Sequence, residues 1–195
     1  TLTAKTKKLD FRVCQAMDFN FYVNDQKLRM ETETIEREKY IAKKASFEVS
    51  AGDQLTVYKH VGIVSSLNYE KDQLSDAAEK QLDVATGKGF EQMLKEQAEA
   101  WEKKWEDSDI VIEGDQAAQQ GIRFNIFMLN QTYTGEDERL NIGPKGFTGE
   151  KYGGSTYWDT EAYCLPFYLR TADPGVARNL LLYRYKHLQK AIENA

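Results

Sequence analysis

The hydrophobic pattern of this chain changes its period near residue 70, and this change limits which elements the chain can form. Before that point apolar and polar residues alternate, as in half-buried antiparallel strands. The longest alternating run is 9–23, and shorter runs follow at 28–35, 40–49 and 55–63. The expected buried face of the longest run consists of Leu9, Phe11, Val13, Met17, Phe19, Phe21 and Val23. The pattern predicts about four strands, with a hairpin-type turn at Ala51-Gly52-Asp53.

Beyond residue 70 the apolar residues recur with the period of a helix. Residues 71–86 are rich in good helix formers, and a second helical run follows Gly87-Lys88-Gly89. One side of this second run carries Phe90, Met93, Leu94, Trp101 and Trp105. Such stripes usually pack against a neighbouring domain, so we predict a pair of linker helices with no chemical role.

Two further helices are predicted in the second half of the chain. Asp115 is placed to cap a helix that runs to about Gln131. Its segment 122–129 is apolar on nearly every side, which predicts a buried helix. Another helix should begin near Trp158 and continue to about Leu169.

The last predicted helix begins at Asp173-Pro174, an N-cap followed by a proline at the first helical position. We expect it to continue to Ala195, because the final residues contain no glycine or proline that would end it. Thr1 is not an initiator methionine. We therefore expect this chain to be an internal fragment of a longer protein.

Composition restricts the possible partners. The 195 residues carry a formal net charge of −5 and a sequence pI of about 5.2, which gives no electrostatic reason to bind nucleic acid or an anionic membrane. Neutral substrates fit better. Cys14 and Cys164 are predicted to be reduced, buried thiols. No apolar stretch approaches the ~20 residues of a membrane span and no leader pattern opens the chain, so we expect a cytoplasmic location.

The segment 139–161 is the strongest candidate for a ligand site. It contains Gly143, Gly146, Gly149, Gly153 and Gly154. Glycines let a backbone turn sharply and approach a ligand closely. Trp158 and Asp159 then supply an apolar ring face and a strong hydrogen-bond acceptor, a combination that suits sugars. On chemistry alone, an ordinary loop with a core tryptophan and a helix-capping aspartate is the commoner explanation.

Other chemistries have little support in the sequence. His60 and His187 lie far apart and outside any metal-binding spacing, so no metal is predicted. Gly87-Lys88 is followed by another glycine rather than by Ser or Thr, unlike a phosphate-binding loop. Ser155 does not lie in a nucleophile-elbow pattern.

Three ordered motifs nevertheless resemble the disaccharide phosphorylases of glycoside hydrolase family 65. The resemblance covers about residues 115 to 190, and its motifs are 122–127, 153–162 and 177–185. The middle motif is more similar to the maltose phosphorylase branch, because the kojibiose and trehalose branches would be expected to have a histidine near Ser155. The resemblance implies the later part of an antiparallel β-sandwich over 1–70, a helical linker over 71–112 and the start of an (α/α)6 barrel over 113–195.

The resemblance also implies a reaction, in which maltose and phosphate give β-D-glucose 1-phosphate and D-glucose. Trp158 and Asp159 would then form part of the subsite for the transferred glucose. Inorganic phosphate would be a co-substrate, with no cofactor and no metal, and the parent protein would be a homodimer. The general acid glutamate and the phosphate site of the family are expected in a later part of the barrel. This chain would therefore hold no catalytic residue and would be inactive alone.

Several alternatives remain open at this point. The family also contains kojibiose, trehalose and nigerose phosphorylases and some hydrolases, and a non-catalytic interaction or assembly module is the alternative from another class. Asp159 and Glu161 cannot both flank one glycosidic bond from a regular helix, so Glu161 is predicted to be structural, paired with a backbone group or an arginine. The acidic run 136–138 is predicted to be a solvated surface. Arg139 and Lys145 are placed to line the mouth of the site.

Overall fold

A computed structural model of the chain describes residues 1–146, 152 and 155–195, which form two compact units, Thr1–Gln97 and Ala98–Ala195. The first unit contains six strands: β1 (Leu2–Lys5), β2 (Arg12–Val23), β3 (Gln26–Lys27), β4 (Glu33–Arg37), β5 (Tyr40–Lys44) and β6 (Leu55–Ser65). Strand β2 is the centre of an antiparallel sheet, pairing with β1 and β3 at its two ends and with β6 along its length. Strands β4 and β5 form a separate hairpin.

The number of strands exceeds the predicted four. Strands β1 and β3 are short and carry little apolar pattern, so alternation could not indicate them. The long strand begins at Arg12 rather than at residue 9, because Asp10 has a positive φ of 47° that interrupts extended backbone. The predicted turn after β5 is confirmed at Gly52, whose φ of 95° favours glycine.

The prediction of which sheet face is buried was wrong. Phe19 and Phe21 of the predicted face are only half-buried. The fully buried residues of the sheet lie on the opposite face and pack against the first turns of helix α1 (Leu74–Ser108). This buried set comprises Cys14, Ala16, Val64, Leu74, Ala77 and Ala78. Small side chains on that face let the helix backbone approach the sheet closely.

The helical run α1 confirms the predicted pair of helices, because Gly89 interrupts it with φ 76° and ψ 169°. Helix α2 (Gln116–Thr132) begins as predicted, with the Asp115 carboxylate accepting a hydrogen bond from Ala118 N at 2.9 Å. Only Ile126 and Asn130 of α2 are buried, and Phe124 is 60% exposed. The expectation of a helix buried all round was therefore wrong here, since the described residues cover only one of its sides.

The core of the second unit consists of Tyr133, Ile142, Tyr168 and Leu180. These residues join the loop after α2 to helices α3 (Leu165–Thr171) and α4 (Pro174–Lys186). Asp173 caps α4 as predicted, accepting from Gly175 N at 2.7 Å. The predicted single helix to Ala195 was wrong: the backbone breaks at His187 and a short α5 (Leu188–Glu193) follows.

The two cysteines are free thiols. Cys14 is fully buried, as predicted, whereas Cys164 is only half-buried. Burial raises the pKa of the Cys164 thiol, and the nearby carboxylates of Glu161 and Asp159 raise it further. Cys164 is therefore poorly suited to act as a nucleophile.

Candidate functional site

The candidate loop packs against the end of helix α2. Gly143 and Gly146 belong to the described residues, whereas Gly149, Gly153 and Gly154 lie outside them. Gly146 has a φ of 56°, and a Cβ there would lie 2.9 Å from Thr132 Oγ1. The glycine at this position therefore lets the loop approach the end of α2.

A second close approach occurs at Gly135. Its φ is 76°, and a Cβ there would lie 2.5 Å from Val176 Cγ1 on α4. The Asn179 side-chain amide of the same helix donates to the Gly135 carbonyl at 2.7 Å. The start of the loop is thus fixed against α4 by packing and by a hydrogen bond.

The acidic run 136–138 is more tightly paired than predicted. Asp137 accepts from Arg139 at 2.6 Å, and this guanidinium lowers the pKa of Asp137 to about 2. Glu138 forms an ion pair with Lys186 at the end of α4. Glu138 therefore ties the loop to α4, whereas the Asp137–Arg139 pair lies within the loop itself.

The segment that contains Trp158 and Asp159 leads into a π-helical turn, Thr160–Cys164. The turn is closed by a hydrogen bond from Leu165 N to the Thr160 carbonyl. The buried Thr160 hydroxyl donates to the Ile142 carbonyl at 3.2 Å, which ties the turn to the loop. π-helical turns are rare and occur frequently at functional sites. The sequence predicted a helix here without this turn.

Arg184 of α4 holds the same segment from the other side. Its Nε and Nη2 donate to the two carboxylate oxygens of Glu161 at 2.8 and 3.0 Å. Its Nη1 donates to Thr156 Oγ1 at 2.7 Å, and Nη2 also donates to the Tyr157 carbonyl. Of the two predicted partners of Glu161, a backbone group or an arginine, the arginine is confirmed. The guanidinium contacts residues on both sides of Trp158-Asp159.

Trp158 and Asp159 are both exposed in the described structure. Trp158 is 68% exposed, and its ring lies 6.0 Å from the Tyr163 ring. The Asp159 side chain makes no capping hydrogen bond, and its backbone already has helical angles of −55° and −34°. The alternative of a core tryptophan beside a helix-capping aspartate is therefore wrong. Both side chains are available to a ligand.

The remaining candidates have no demonstrated role. Lys145 Nζ lies 5.7 Å from the centre of the Tyr152 ring. That Lys145 and Arg139 line the mouth of a site stays a prediction. His60 is buried and His187 is exposed, and the described residues contain no group of three or more potential metal ligands. In this same part of the chain, no helix has both the length and the apolar character to cross a membrane.

Sequence reasoning missed the residues that hold the site together. Arg184 lies within the motif 177–185, but nothing local indicated that it would bind residues more than twenty positions earlier. Thr160 likewise carried no signal of its bond to Ile142.

Two family models match the chain. Residues 1–104 match the N-terminal domain of glycosyl hydrolase family 65, and residues 123–195 match the central catalytic domain of the same family. The chain belongs to glycosyl hydrolase family 65. The family 65 assignment agrees with the fold: strands of an antiparallel sandwich, linker helices, and the first helices of the helical barrel. The boundaries expected at residues 70 and 112 stay predictions.

Curated relatives in family 65 are disaccharide phosphorylases. A maltose phosphorylase of Bacillus subtilis (strain 168) is 46% identical over 158 residues, 81% of this chain and 20% of that protein. An alpha,alpha-trehalose phosphorylase of Thermoanaerobacter brockii is 36% identical over 194 residues, 100% of this chain and 24% of that protein. This chain thus spans about a fifth to a quarter of the relatives it matches.

A solved structure supports the same family. A candidate kojibiose phosphorylase from human microbiome aligns with a TM-score of 0.75 and 30% sequence identity. The alignment covers 97% of this chain and 24% of the other chain. Nearly the whole described architecture is therefore shared with that protein.

Proposed function

We propose that this chain is part of an inverting disaccharide phosphorylase that converts maltose and phosphate into β-D-glucose 1-phosphate and D-glucose. The 46% identity to a maltose phosphorylase over 81% of the chain supports maltose as the substrate. The proposal concerns a longer protein, because the chain spans only about a fifth of that relative. A cytoplasmic location and a homodimeric parent stay predictions.

The pair Trp158 and Asp159 is the observation that carries the proposal. An exposed indole ring and an exposed carboxylate, which makes no capping hydrogen bond, stand next to each other on a backbone that is fixed from both sides. We assign them to the transferred-glucose subsite, where the ring covers an apolar face of the sugar and the carboxylate accepts hydrogen bonds from its hydroxyls. Hydrogen bonds to charged acceptors are about twice as strong as neutral ones.

The chemistry of the proposed reaction needs two further groups. Phosphate attacks the anomeric carbon, the bond to the glycosidic oxygen breaks, and a carboxylic acid protonates the departing oxygen. We assign neither the acid nor a phosphate site to this chain, so it contributes substrate binding and no catalytic residue. Loss of a general acid typically costs 10²- to 10⁴-fold in rate. We therefore propose that the 195-residue chain alone releases no glucose 1-phosphate from maltose.

Kojibiose and trehalose are the alternative substrates. A kojibiose phosphorylase of Caldanaerobacter subterraneus is 40% identical over 72% of this chain. A trehalose phosphorylase of Geobacillus stearothermophilus reaches 46% identity, over 54% of the chain. Maltose is preferred because its relative combines the same identity with the longer match.

The decisive experiment uses a complete phosphorylase chain that contains this segment. Phosphorolysis, measured as phosphate consumption, is assayed with maltose, kojibiose, trehalose and nigerose, in the wild type and in Asp159→Asn. We expect maltose to be the preferred substrate. We expect Asp159→Asn to lower kcat/KM by at least about 2 kcal/mol, or about 30-fold, because a charged acceptor becomes a neutral amide.

Asp107→Asn is the matched control. It makes the same chemical change outside the candidate site, at an exposed aspartate near the end of α1. It should leave kcat/KM unchanged. Wild-type kinetics in Asp159→Asn would contradict the assignment of Asp159 to the subsite. Preference for another disaccharide would contradict maltose as the substrate while leaving the reaction class intact.

A further inference from the structure

The segment that presents Trp158 and Asp159 has little local support of its own. Among the described residues, the Trp158 ring lies against the Tyr163 ring, 6.0 Å away, and the Asp159 side chain makes no capping hydrogen bond. Tyr163 is itself strongly exposed. The orientation of both side chains must therefore come from residues elsewhere in the unit.

We propose that Arg184 is a positioning residue for the transferred-sugar subsite. It fixes the backbone around Trp158 and Asp159, so that both side chains face the sugar before it arrives. This inference rests on the proposed function of that pair. Arg184 touches neither the sugar nor the reacting atoms, and acts through the segment 156–161.

The contacts of Arg184 are distributed in the way that this role requires. Two of its bonds reach Thr156 and the Tyr157 carbonyl, just before the Trp158-Asp159 pair, and two reach Glu161, just after it. The bonds to Glu161 form a bidentate arginine–carboxylate pair, which adds directional specificity to the charge attraction. One guanidinium therefore brackets the pair on both sides.

Helix α4 gives Arg184 a rigid base. Leu180 on that helix is fully buried in the core, and Asn179 binds the Gly135 carbonyl. Lys186 pairs with Glu138 of the loop. Arg184 and Glu161 are themselves partly buried, with side-chain exposures of 34% and 26%, so water screens their pair less than it would a surface pair.

A fixed subsite affects the rate more than the initial binding. Hydrogen bonds to ring hydroxyls strengthen in the oxocarbenium-like transition state, provided that the acceptor is already in place. If the segment 156–161 is free to move, the free energy needed to order it adds to the activation barrier of the chemical step. Lysine cannot replace Arg184, because a single ammonium group cannot occupy the Thr156, Tyr157 and Glu161 acceptors with a planar fork.

The test compares Arg184→Lys, Thr156→Val and the control Arg178→Lys in a complete phosphorylase chain that contains this segment. Arg178 lies on the same helix with an exposed side chain. Maltose phosphorolysis gives kcat and KM separately, and thermal melting reports the fold. We expect Arg184→Lys to lower kcat about 10- to 100-fold with KM within about threefold, as a displaced binding group does. Thr156→Val should give a smaller loss of kcat at an unchanged melting temperature.

Each outcome decides the inference. A loss of kcat in both Arg184→Lys and Thr156→Val, with Arg178→Lys at the wild-type rate, supports it. Wild-type kcat in either Arg184→Lys or Thr156→Val, or an equal loss of kcat in Arg178→Lys, overturns it and makes Arg184 structural only. The subsite assignment on which this inference rests is judged separately by Asp159→Asn, whose wild-type kinetics would contradict that assignment.

Discussion

Gly62 of strand β6 lies directly beneath the backbone carbonyl of Ala78 in helix α1. A Cβ at Gly62 would be 2.4 Å from that oxygen and 2.9 Å from the backbone nitrogen of Leu82. The contact is between backbone atoms, so no side chain can rotate away to make room. This one position sets how closely the helix can pack on the sheet.

Gly62→Ala should therefore destabilise the chain. The added methyl group must push the helix off the sheet, which costs about 1–3 kcal/mol for an overpacked core. Gly87→Ala is the control, because a Cβ at Gly87 in α1 would meet nothing within 4 Å. Urea unfolding followed by circular dichroism should show a lower midpoint for the first variant and an equal or higher midpoint for the second. Equal midpoints in both variants would contradict the close packing.

Asp10 should make the stability of the chain depend on acid pH. Its carboxylate contacts Lys71 at 2.8 Å and Arg12 at 3.0 Å, and these cations hold its pKa well below the ordinary value of 3.8. Because the folded-state pKa is depressed, the stabilisation is complete above about pH 4 and is lost as the pH falls through the folded-state pKa. Asp10→Asn should lower the urea midpoint at pH 7, and the difference from wild type should shrink as the pH falls below about 4.

Asp25→Asn is the matched control for Asp10. Both aspartates have a positive φ, 47° and 64°, which asparagine also tolerates. Asp25 is exposed and forms no ion pair within the described ranges. The control should therefore show the wild-type midpoint at every pH. If the two variants behave alike, the Asp10 pairs contribute nothing.

The Tyr168 hydroxyl should contribute measurably to stability. It is buried and donates to the Leu129 carbonyl at 2.8 Å. Tyr168→Phe removes this bond and keeps the ring, so we expect a loss of about 1 kcal/mol. Tyr185→Phe, at an exposed ring on α4, should change nothing.

Tyr168 should also make the stability of the chain depend on alkaline pH. Burial raises the pKa of Tyr168 above its ordinary value of 10, so the unfolded chain loses this proton first. Stability is then complete below pH 10 and falls as the pH rises above it. Tyr168→Phe should lack this part of the alkaline loss, as measured by urea midpoints above pH 10.

Features that depend on neighbouring residues in sequence could be predicted. The caps at Asp115 and Asp173, the turn at Gly52 and the break at Gly89 all use the local chemistry of one or two residues. Local rules sufficed for these because each outcome depends on one turn of backbone.

Features that depend on distant contacts could not be predicted. The identity of the arginine that pairs with Glu161 depends on how α4 packs, and the π-helical turn at Thr160 depends on its bond to Ile142. The buried face of β2 was predicted wrongly because the prediction chose the face with the larger apolar side chains, such as Phe19 and Phe21. The helix selected the face of Cys14 and Ala16, since small side chains allow its close approach.

The assignment of sheet faces gives a last prediction on two adjacent residues of β6. Val64 is 4% exposed and belongs to the core beneath α1, whereas Ile63 is 56% exposed on the other face. Val64→Ala removes two buried methyl groups and should cost about 1.5 kcal/mol, while Ile63→Ala should stay within about 0.5 kcal/mol of wild type. The larger side chain is thus expected to matter less, the opposite of what hydrophobicity alone would predict. Urea unfolding of both variants measures the difference, and a larger loss in Ile63→Ala would mean that the odd-numbered face of the sheet is the buried one.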